Sequence, residues 1–198
     1  MTTQDRTPVH LMRHGEVHNP AGVLYGRLPD YHLSDLGRQM AERGAEYFEG
    51  ADVTHLVASP LERAQETMQP IAKTLGLEVT TDPRVIEAGN RFEGKTFGVG
   101  DGSLRHPGVW WMLRNPSKPS WGEPYLKIAH RMLGAVHRAR ELATGREALC
   151  VSHQLPIWTL RRFVTGHRLW HDPRRRQARQ PHAACSAACP PPAPAPPR

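Results

Sequence analysis

The first apolar run of the chain ends in Leu11-Met12-Arg13-His14-Gly15-Glu16. Arg offers a planar fork of donors that matches phosphate oxygens, and His can attack a phosphoryl group to form a covalent intermediate. Adjacent side chains in a strand point to opposite faces, so both can face one ligand only if the strand ends here. Gly15 supplies the backbone freedom for that end. The stretch predicts a phosphate-handling pair after a first strand, and its alternative is a surface Arg-His pair in a loop.

Three more short apolar runs alternate with helical patterns. The predicted strands are 8–12, 54–58, 78–81 and 148–152. The predicted helices begin with Ser34 as N-cap, with Ser59 as N-cap and Pro60 at the first position, at Glu123 or Pro124, and near Pro156. We expect the second helix to end near Gly76 and the third to turn Leu126, Ala129, Met132, Leu133 and Val136 inward. This alternation predicts an α/β fold of three layers, in which helices cover both faces of a mostly parallel sheet.

Two stretches break this rhythm. Residues 88–122 are rich in Gly and Pro and carry Trp110-Trp111, which indicates a lid inserted in a domain spanning 1–176. Residues 177–198 are dominated by Ala and Pro and are expected to form a disordered tail.

The charge pattern argues against a nucleic-acid partner. The formal net charge is +7, but residues 1–160 carry equal numbers of basic and acidic side chains, and the excess lies in 161–198. A nucleic-acid face needs clustered charge, which the main body lacks. No apolar stretch reaches a membrane span of about 18 residues, and the N-terminus lacks the pattern of a secretory signal. A cytoplasmic protein without a membrane partner is therefore expected, and its oligomeric state cannot be derived from the sequence.

Two places in the sequence have a spacing that could suit a metal ion. His14 and His18 have the spacing of a metal-binding pair on a helix, but Gly15 and Pro20 indicate a loop there. Cys185 and Cys189, with His182 nearby, lie in the tail and lack a second ligand pair, and the Pro-rich flank argues against a helix there. Cys150 lies in an apolar run and is expected to be an inert core thiol. No metal or other cofactor is predicted.

Polar residues that suit phosphate chemistry follow several predicted strands. Arg63 is placed in the first turns after the second strand, and His153 ends the fourth. Ligands of open α/β sheets gather outside the carboxyl ends of the strands, so these residues are expected to meet Arg13 and His14 there. A phosphatase also needs a proton donor for the leaving alkoxide. Glu87 is the candidate for this role, and Glu93 is its rival.

These residues, in this order, resemble the histidine phosphatase (phosphoglycerate mutase-like) superfamily. The quoted motifs are Arg13-His14-Gly15-Glu16, Gly26-Arg27 with Leu33-Ser34-Asp35-Leu36-Gly37, Ser59 with Arg63-Ala64 and Thr67, and Ser152-His153. Two features depart from the family. Val17 follows Glu16, with Asn19 one residue earlier than the family's Asn, and the closing C-terminal edge strand is expected to be missing.

The resemblance implies a role for each site residue. His14 would be the nucleophile that becomes phosphorylated, Glu87 would be the acid, and Arg13, Arg63 and His153 would hold the phosphoryl oxygens. It also extends the phosphate site to Asn19 and Gly26 in the loop after the nucleophile. No metal is implied, because cationic side chains supply the electrostatic stabilisation.

The function expected from the resemblance is hydrolysis of a small phosphorylated metabolite through a phosphohistidine. A phosphoglycerate mutase-type transferase is the first alternative, and the short Trp-bearing lid favours hydrolysis over it. An inactive module that only binds a phosphorylated ligand is the second alternative.

Overall fold

Four parallel strands form the sheet of the computed structural model, which describes residues 7–96 and 122–170. The strands are β1 (Val9–Arg13), β2 (Val53–Ala58), β3 (Val79–Thr81) and β4 (Glu147–Ser152). Their spatial order is β1-β4-β2-β3, so β4 lies between β1 and β2. Leu11 pairs with Cys150, which in turn pairs with Val57. The predicted parallel sheet is confirmed.

Helices cover both faces of this sheet. In the described ranges the α-helices are α1 (Asp35–Phe48), α2 (Glu62–Leu75), α3 (Tyr125–Leu142) and α4 (Gln154–Val164), and a short 3-10 helix covers Pro83–Val85. Leu149 and Val151 of β4 belong to the apolar cluster that contains α1 and α2. Their neighbours Ala148 and Cys150 belong to the cluster that contains α3 and α4. Because successive strand residues face opposite sides, β4 has two buried faces and the fold has the three layers predicted.

The interior thiol behaves as the sequence predicts. Cys150 is fully buried in the centre of the sheet. Burial raises the pKa of its thiol to about 12, so it stays protonated and unreactive at neutral pH.

The predicted helix ends are right in two places and wrong in a third. Ser34 is the N-cap of α1, where its Oγ accepts from the Gly37 amide at 3.0 Å. Gly76 ends α2 in the left-handed conformation, with φ of 65°. Ser59, however, is not the cap of α2, because the helix begins at Glu62 after Leu61. The Ser59 hydroxyl is used elsewhere, in the site described below.

The inward face of α3 was predicted correctly except at its start. Ala129, Met132 and Val136 are buried, whereas Leu126 is 52% exposed. Tyr125 is the residue four positions before Ala129 and therefore occupies the inward position of the first turn.

Several predictions lie outside the described residues. They concern the lid tryptophans Trp110 and Trp111, the end of the domain at 176, the Ala/Pro-rich tail with its two cysteines, and the missing edge strand. Within the part of the chain that is described, no helix combines the length and apolar character needed to cross a membrane.

Candidate active site

The loops that follow β1, β4 and β2 lie side by side at the carboxyl edge of the sheet. The His14 amide donates to the Ser152 carbonyl at 3.1 Å, and the Ser59 amide donates to the Val151 carbonyl at 3.0 Å. His153 follows Ser152 directly, so the central strand delivers it between His14 and Ser59. The parallel topology thus brings together residues that are up to 139 positions apart along the chain.

His14 is buried, with 5% of its surface exposed, and its imidazole is held in one tautomer. Nδ1 lies 2.7 Å from the carbonyl oxygen of Gly15. A carbonyl only accepts, so Nδ1 carries the proton and Nε2 keeps its lone pair. Burial, supported by the charges of Arg63 and Arg13, lowers the pKa of His14 to about 3, although the bond to Gly15 opposes this shift. The ring is therefore neutral at physiological pH, as a nucleophile requires.

His153 is fully buried beside His14. The two ring centroids are 5.1 Å apart, and the planes are tilted by 58°. Nε2 of His153 lies 2.7 Å from the Ser59 hydroxyl, which also accepts from the Leu61 amide at 3.4 Å. Burial, followed by the influence of His14 and Arg63, lowers the pKa of His153 well below its usual value.

Arg63 projects from the first turn of α2 and is fully buried. One guanidinium nitrogen, Nη2, donates to the Gly26 carbonyl at 2.6 Å, and the guanidinium carbon lies 4.8 Å from the centroid of the Tyr25 ring. Nε and Nη1 are buried without a hydrogen-bond partner among the described residues. Burial lowers the pKa of this group, but Arg keeps its proton in proteins. A buried cation with two such donors is suited to an anionic ligand.

The hydroxyls of Thr67 and Ser152 connect the loops of the site to the rest of the fold. Thr67 Oγ1 accepts from the Gly15 amide at 3.0 Å and donates to the Arg63 carbonyl at 2.6 Å. Ser152 Oγ donates to the Val85 carbonyl at 2.6 Å. These bonds connect the loop after β1 to α2, and the end of β4 to the segment that leads to Glu87.

The loop after β1 also packs closely against the start of α1. A Cβ atom on Gly15 would lie 2.6 Å from the Gly37 carbonyl oxygen, and one on Gly37 would overlap the Glu16 carbonyl. The Ser34 hydroxyl donates to Glu16 Oε2 at 2.6 Å. Glu16 thus supports the cap of α1, and both glycines are required by close backbone contact.

Arg13 is the exposed member of the group. It lies at the end of β1, and no hydrogen bond is assigned to its side chain within the described ranges. Its charge lowers the pKa of His14, Arg63 and His153, which places the guanidinium near all three.

Both candidate acids follow the 3-10 helix in the chain. The charge of Glu87 raises the pKa of Arg63, and Glu87 Oε1 accepts from the Ala88 amide at 2.8 Å. Glu93 Oε1 accepts from the Asn90 amide at 3.0 Å, and its side chain fills the space next to Gly26. Each carboxylate accepts from a nearby backbone amide, and Glu87 is the one whose charge acts on Arg63.

Asn19 and Gly26 are the two remaining residues predicted to bind phosphate, and both make structural contacts within the described residues. The carboxamide of Asn19 bonds Val23 twice, with Nδ2 donating to the carbonyl at 2.8 Å and Oδ1 accepting from the amide at 3.0 Å. This closes a loop and does not direct Asn19 toward Arg63. Gly26 adopts a φ of 43° and contributes the carbonyl that anchors Arg63.

Sequence reasoning missed four residues around this site: Tyr25, Arg27, Glu123 and Arg131. Tyr25 lies between Arg63 and Tyr31, with which it stacks at 4.9 Å. Arg27 belongs to the Gly26-Arg27 motif, but the sequence does not indicate its partners. Glu123 and Arg131 lie beyond the insertion and bond residues 44 to 96 positions away, so no local pattern could reveal them.

No group of three His, Cys, Asp or Glu side chains suited to a metal ion occurs in the described part of the chain. The site contains two neutral imidazoles, two guanidiniums and nearby carboxylates.

The comparisons with known proteins agree with this arrangement. The family model of the histidine phosphatase superfamily (branch 1) matches residues 9–188, and the chain belongs to this superfamily. It is 58% identical over 172 residues to the uncharacterized protein Rv0525 of Mycobacterium tuberculosis, covering 87% of this chain and 85% of the relative.

Two further comparisons carry functional names. The probable phosphoglycerate mutase GpmB of Escherichia fergusonii is 30% identical over 173 residues, which cover 85% of this chain and 79% of that protein. The structure of mycobacterial glucosyl-3-phosphoglycerate phosphatase in complex with VO3 aligns with a TM-score of 0.66 at 25% identity, covering 80% of each chain.

Proposed function

We propose that the protein hydrolyses a small phosphomonoester through a phosphohistidine on His14. The observation that carries the proposal is the state of this side chain. His14 is a buried, neutral imidazole whose Nδ1 proton is held by Gly15, and the donors of Arg63 and the ring of His153 lie beside it. A surface Arg-His pair would have none of this support.

In the first step, Nε2 of His14 attacks the phosphorus atom and the bond to the ester oxygen breaks. Arg63, Arg13 and His153 stabilise the charge on the three other oxygens, which is the main contribution a protein makes to phosphoryl transfer. Glu87 donates its proton to the departing alkoxide, so that a neutral alcohol leaves. The phosphoryl group now resides on His14.

In the second step, water attacks the phosphohistidine. The Glu87 carboxylate, which gave up its proton in the first step, takes one from the attacking water. The bond between phosphorus and Nε2 breaks, inorganic phosphate is released, and both side chains return to their starting state. All catalytic groups in these two steps come from the chain itself.

The substrate class is inferred from the names of the compared proteins. One is named a phosphoglycerate mutase and another a glucosyl-3-phosphoglycerate phosphatase. A panel of phosphorylated metabolites should therefore begin with phosphoglycerates and their sugar esters, followed by other small phosphomonoesters.

A mutase-type transferase is the second candidate, favoured by the 30% identity to a probable phosphoglycerate mutase. The two activities differ in the acceptor, which is water for a phosphatase and a second hydroxyl for a mutase. Incubation with 3-phosphoglycerate separates them, since a phosphatase releases inorganic phosphate and a mutase yields an isomeric phosphoglycerate.

The central test is to trap the intermediate. Protein quenched during turnover of p-nitrophenyl phosphate should carry an acid-labile phosphate that mass spectrometry assigns to His14. His14→Ala should abolish both the adduct and turnover, whereas His18→Ala, a substitution of an exposed histidine in the same loop, should retain them. Normal turnover by His14→Ala would refute the proposal, and phosphate binding without turnover by the unmodified protein would favour the binding module.

A further inference from the structure

Three charged side chains form a partly buried network next to Glu87. Glu123 precedes α3, Arg131 lies within it, and Arg27 comes from the loop before α1. Arg131 donates to both carboxylate oxygens of Glu123, each at 3.1 Å, and Arg27 Nη2 donates to Oε2 at 2.9 Å. The side chains of Glu123 and Arg131 are only 10% and 13% exposed, so solvent screens their pair weakly.

Both guanidiniums converge on the backbone of Glu87. Arg27 Nε donates to the Glu87 carbonyl at 2.7 Å, and Arg131 Nη2 donates to the same oxygen at 3.3 Å. Arg131 Nη1 also donates to the carbonyls of Arg84 and Ile86, at 2.6 and 2.7 Å. Three carbonyls of the segment that carries Glu87 are thereby fixed to one helix.

The peptide unit whose carbonyl the two guanidiniums bind also contacts the Glu87 carboxyl group. The peptide that joins Glu87 to Ala88 has its carbonyl bonded by the two guanidiniums, and its N–H donates to Glu87 Oε1 at 2.8 Å. Cationic donors on the carbonyl polarise the peptide and strengthen its N–H as a donor. The orientation of this plane therefore constrains the position of Glu87 Oε1.

Glu123 is the group that allows the two guanidiniums to share one carbonyl. Two adjacent cations repel each other at low dielectric, and the carboxylate between them offsets that repulsion. We propose that Glu123 is a positioning residue for the Glu87 carboxyl group, acting through Arg27 and Arg131. This inference rests on the proposed role of Glu87 as the proton donor.

The leaving group distinguishes positioning of the acid from general structural support. p-Nitrophenolate leaves without needing a proton, whereas the more basic phenolate of phenyl phosphate needs one. Loss or misplacement of the acid should lower kcat/KM for phenyl phosphate more than for p-nitrophenyl phosphate. A purely structural defect should lower both alike.

The experiment compares kcat/KM for the two esters in four variants of the full chain. Glu87→Gln should reduce the ratio of phenyl to p-nitrophenyl phosphate turnover most strongly. Glu123→Gln, which keeps the shape but removes the charge, should reduce it by about tenfold, a part of the full effect of a general acid. Glu141→Gln removes a carboxylate from an exposed pair with Arg138 in α3 and should leave the ratio unchanged.

Arg27→Gln is the fourth variant, and it tests the same network even if Glu123→Gln fails to fold. The Arg27 side chain is 37% exposed, so its replacement disturbs the core least, and it should lower the ratio in the same direction. If Glu87→Gln leaves the ratio unchanged, the proposed role of Glu87 fails. The positioning role is overturned if Glu87→Gln lowers the ratio but Glu123→Gln and Arg27→Gln leave it unchanged, as Glu141→Gln does. Equal loss of activity on both esters in these two variants also overturns it.

Discussion

The hydroxyl of Thr67 joins two parts of the site, because it accepts from the Gly15 amide and donates to the Arg63 carbonyl. Gly15 follows the proposed nucleophile, and Arg63 is the buried cation beside it. The two residues are bridged by a side chain one helical turn beyond Arg63. Their relative position is thus fixed by a short chain of buried hydrogen bonds.

Replacing Thr67 by Val should weaken both the fold and the site. The valine keeps the volume but leaves the buried Gly15 amide without an acceptor, which costs about 1–3 kcal/mol. Denaturant unfolding should show this loss, together with reduced turnover of p-nitrophenyl phosphate. Thr67→Ser keeps the hydroxyl and should retain most of both, and an equal effect of the two variants would contradict the bridge.

Two glycines of α1 should respond in opposite ways to Ala. Gly37→Ala forces a Cβ into the Glu16 carbonyl, and such overpacking costs about 1–3 kcal/mol. At Gly44 the nearest atom, Ile71 Cδ1, would be 3.4 Å away. Gly44→Ala should therefore be stabilising by up to about 1 kcal/mol through helix propensity. Thermal unfolding of both variants checks the contrast, which equal shifts would disprove.

The depressed pKa of His14 should make the fold sensitive to acid. Its pKa is about 3 in the folded protein and near 6.5 when unfolded, so the unfolded chain binds more protons between these values. Stability from this group is complete above 6.5 and is lost as the pH falls toward 3. The free energy of unfolding of the wild type should therefore be compared with that of His14→Asn. The difference, wild type minus variant, should fall by about 2 kcal/mol as the pH is lowered from 7 to 5.

His32 provides an internal control for this pH effect. The Glu66 carboxylate raises the pKa of His32, so its contribution is present below the unfolded value and is lost as the pH rises through the folded one. The difference in the free energy of unfolding between the wild type and His32→Asn should therefore rise as the pH is lowered from 7 to 5. A difference for His14→Asn that does not depend on pH would show that His14 is not held neutral.

Removal of divalent cations should leave the activity intact. The proposed steps use only side chains of the chain, with Arg63 and Arg13 in place of a metal as the cationic groups. Dialysis against EDTA should not change the turnover of p-nitrophenyl phosphate, which a continuous assay can follow. Loss of activity that Mg²⁺ or Zn²⁺ restores would contradict metal independence.

The sequence predicts where some residues of the site lie, but it does not predict their hydrogen-bond partners. Arg13, His14, Arg63 and His153 follow strands or start a helix, so their meeting at one edge follows from a parallel sheet. The tautomer of His14 does not follow from the sequence, because it depends on the course of the Gly15 backbone. The partner of Ser59 is equally hidden, and a local capping rule assigned it wrongly.

The sequence by itself determined the layered α/β fold, the buried thiol of Cys150 and the placement of Arg13, His14 and His153 at strand ends, because these depend on local periodicity. Only the tertiary structure decided which imidazole nitrogen of His14 is available, which donors of Arg63 are left without a partner among the described residues, and how Glu123 is linked to Glu87. Those features depend on burial and on contacts between residues far apart in the chain. They arise only when the sheet and its helices are packed together.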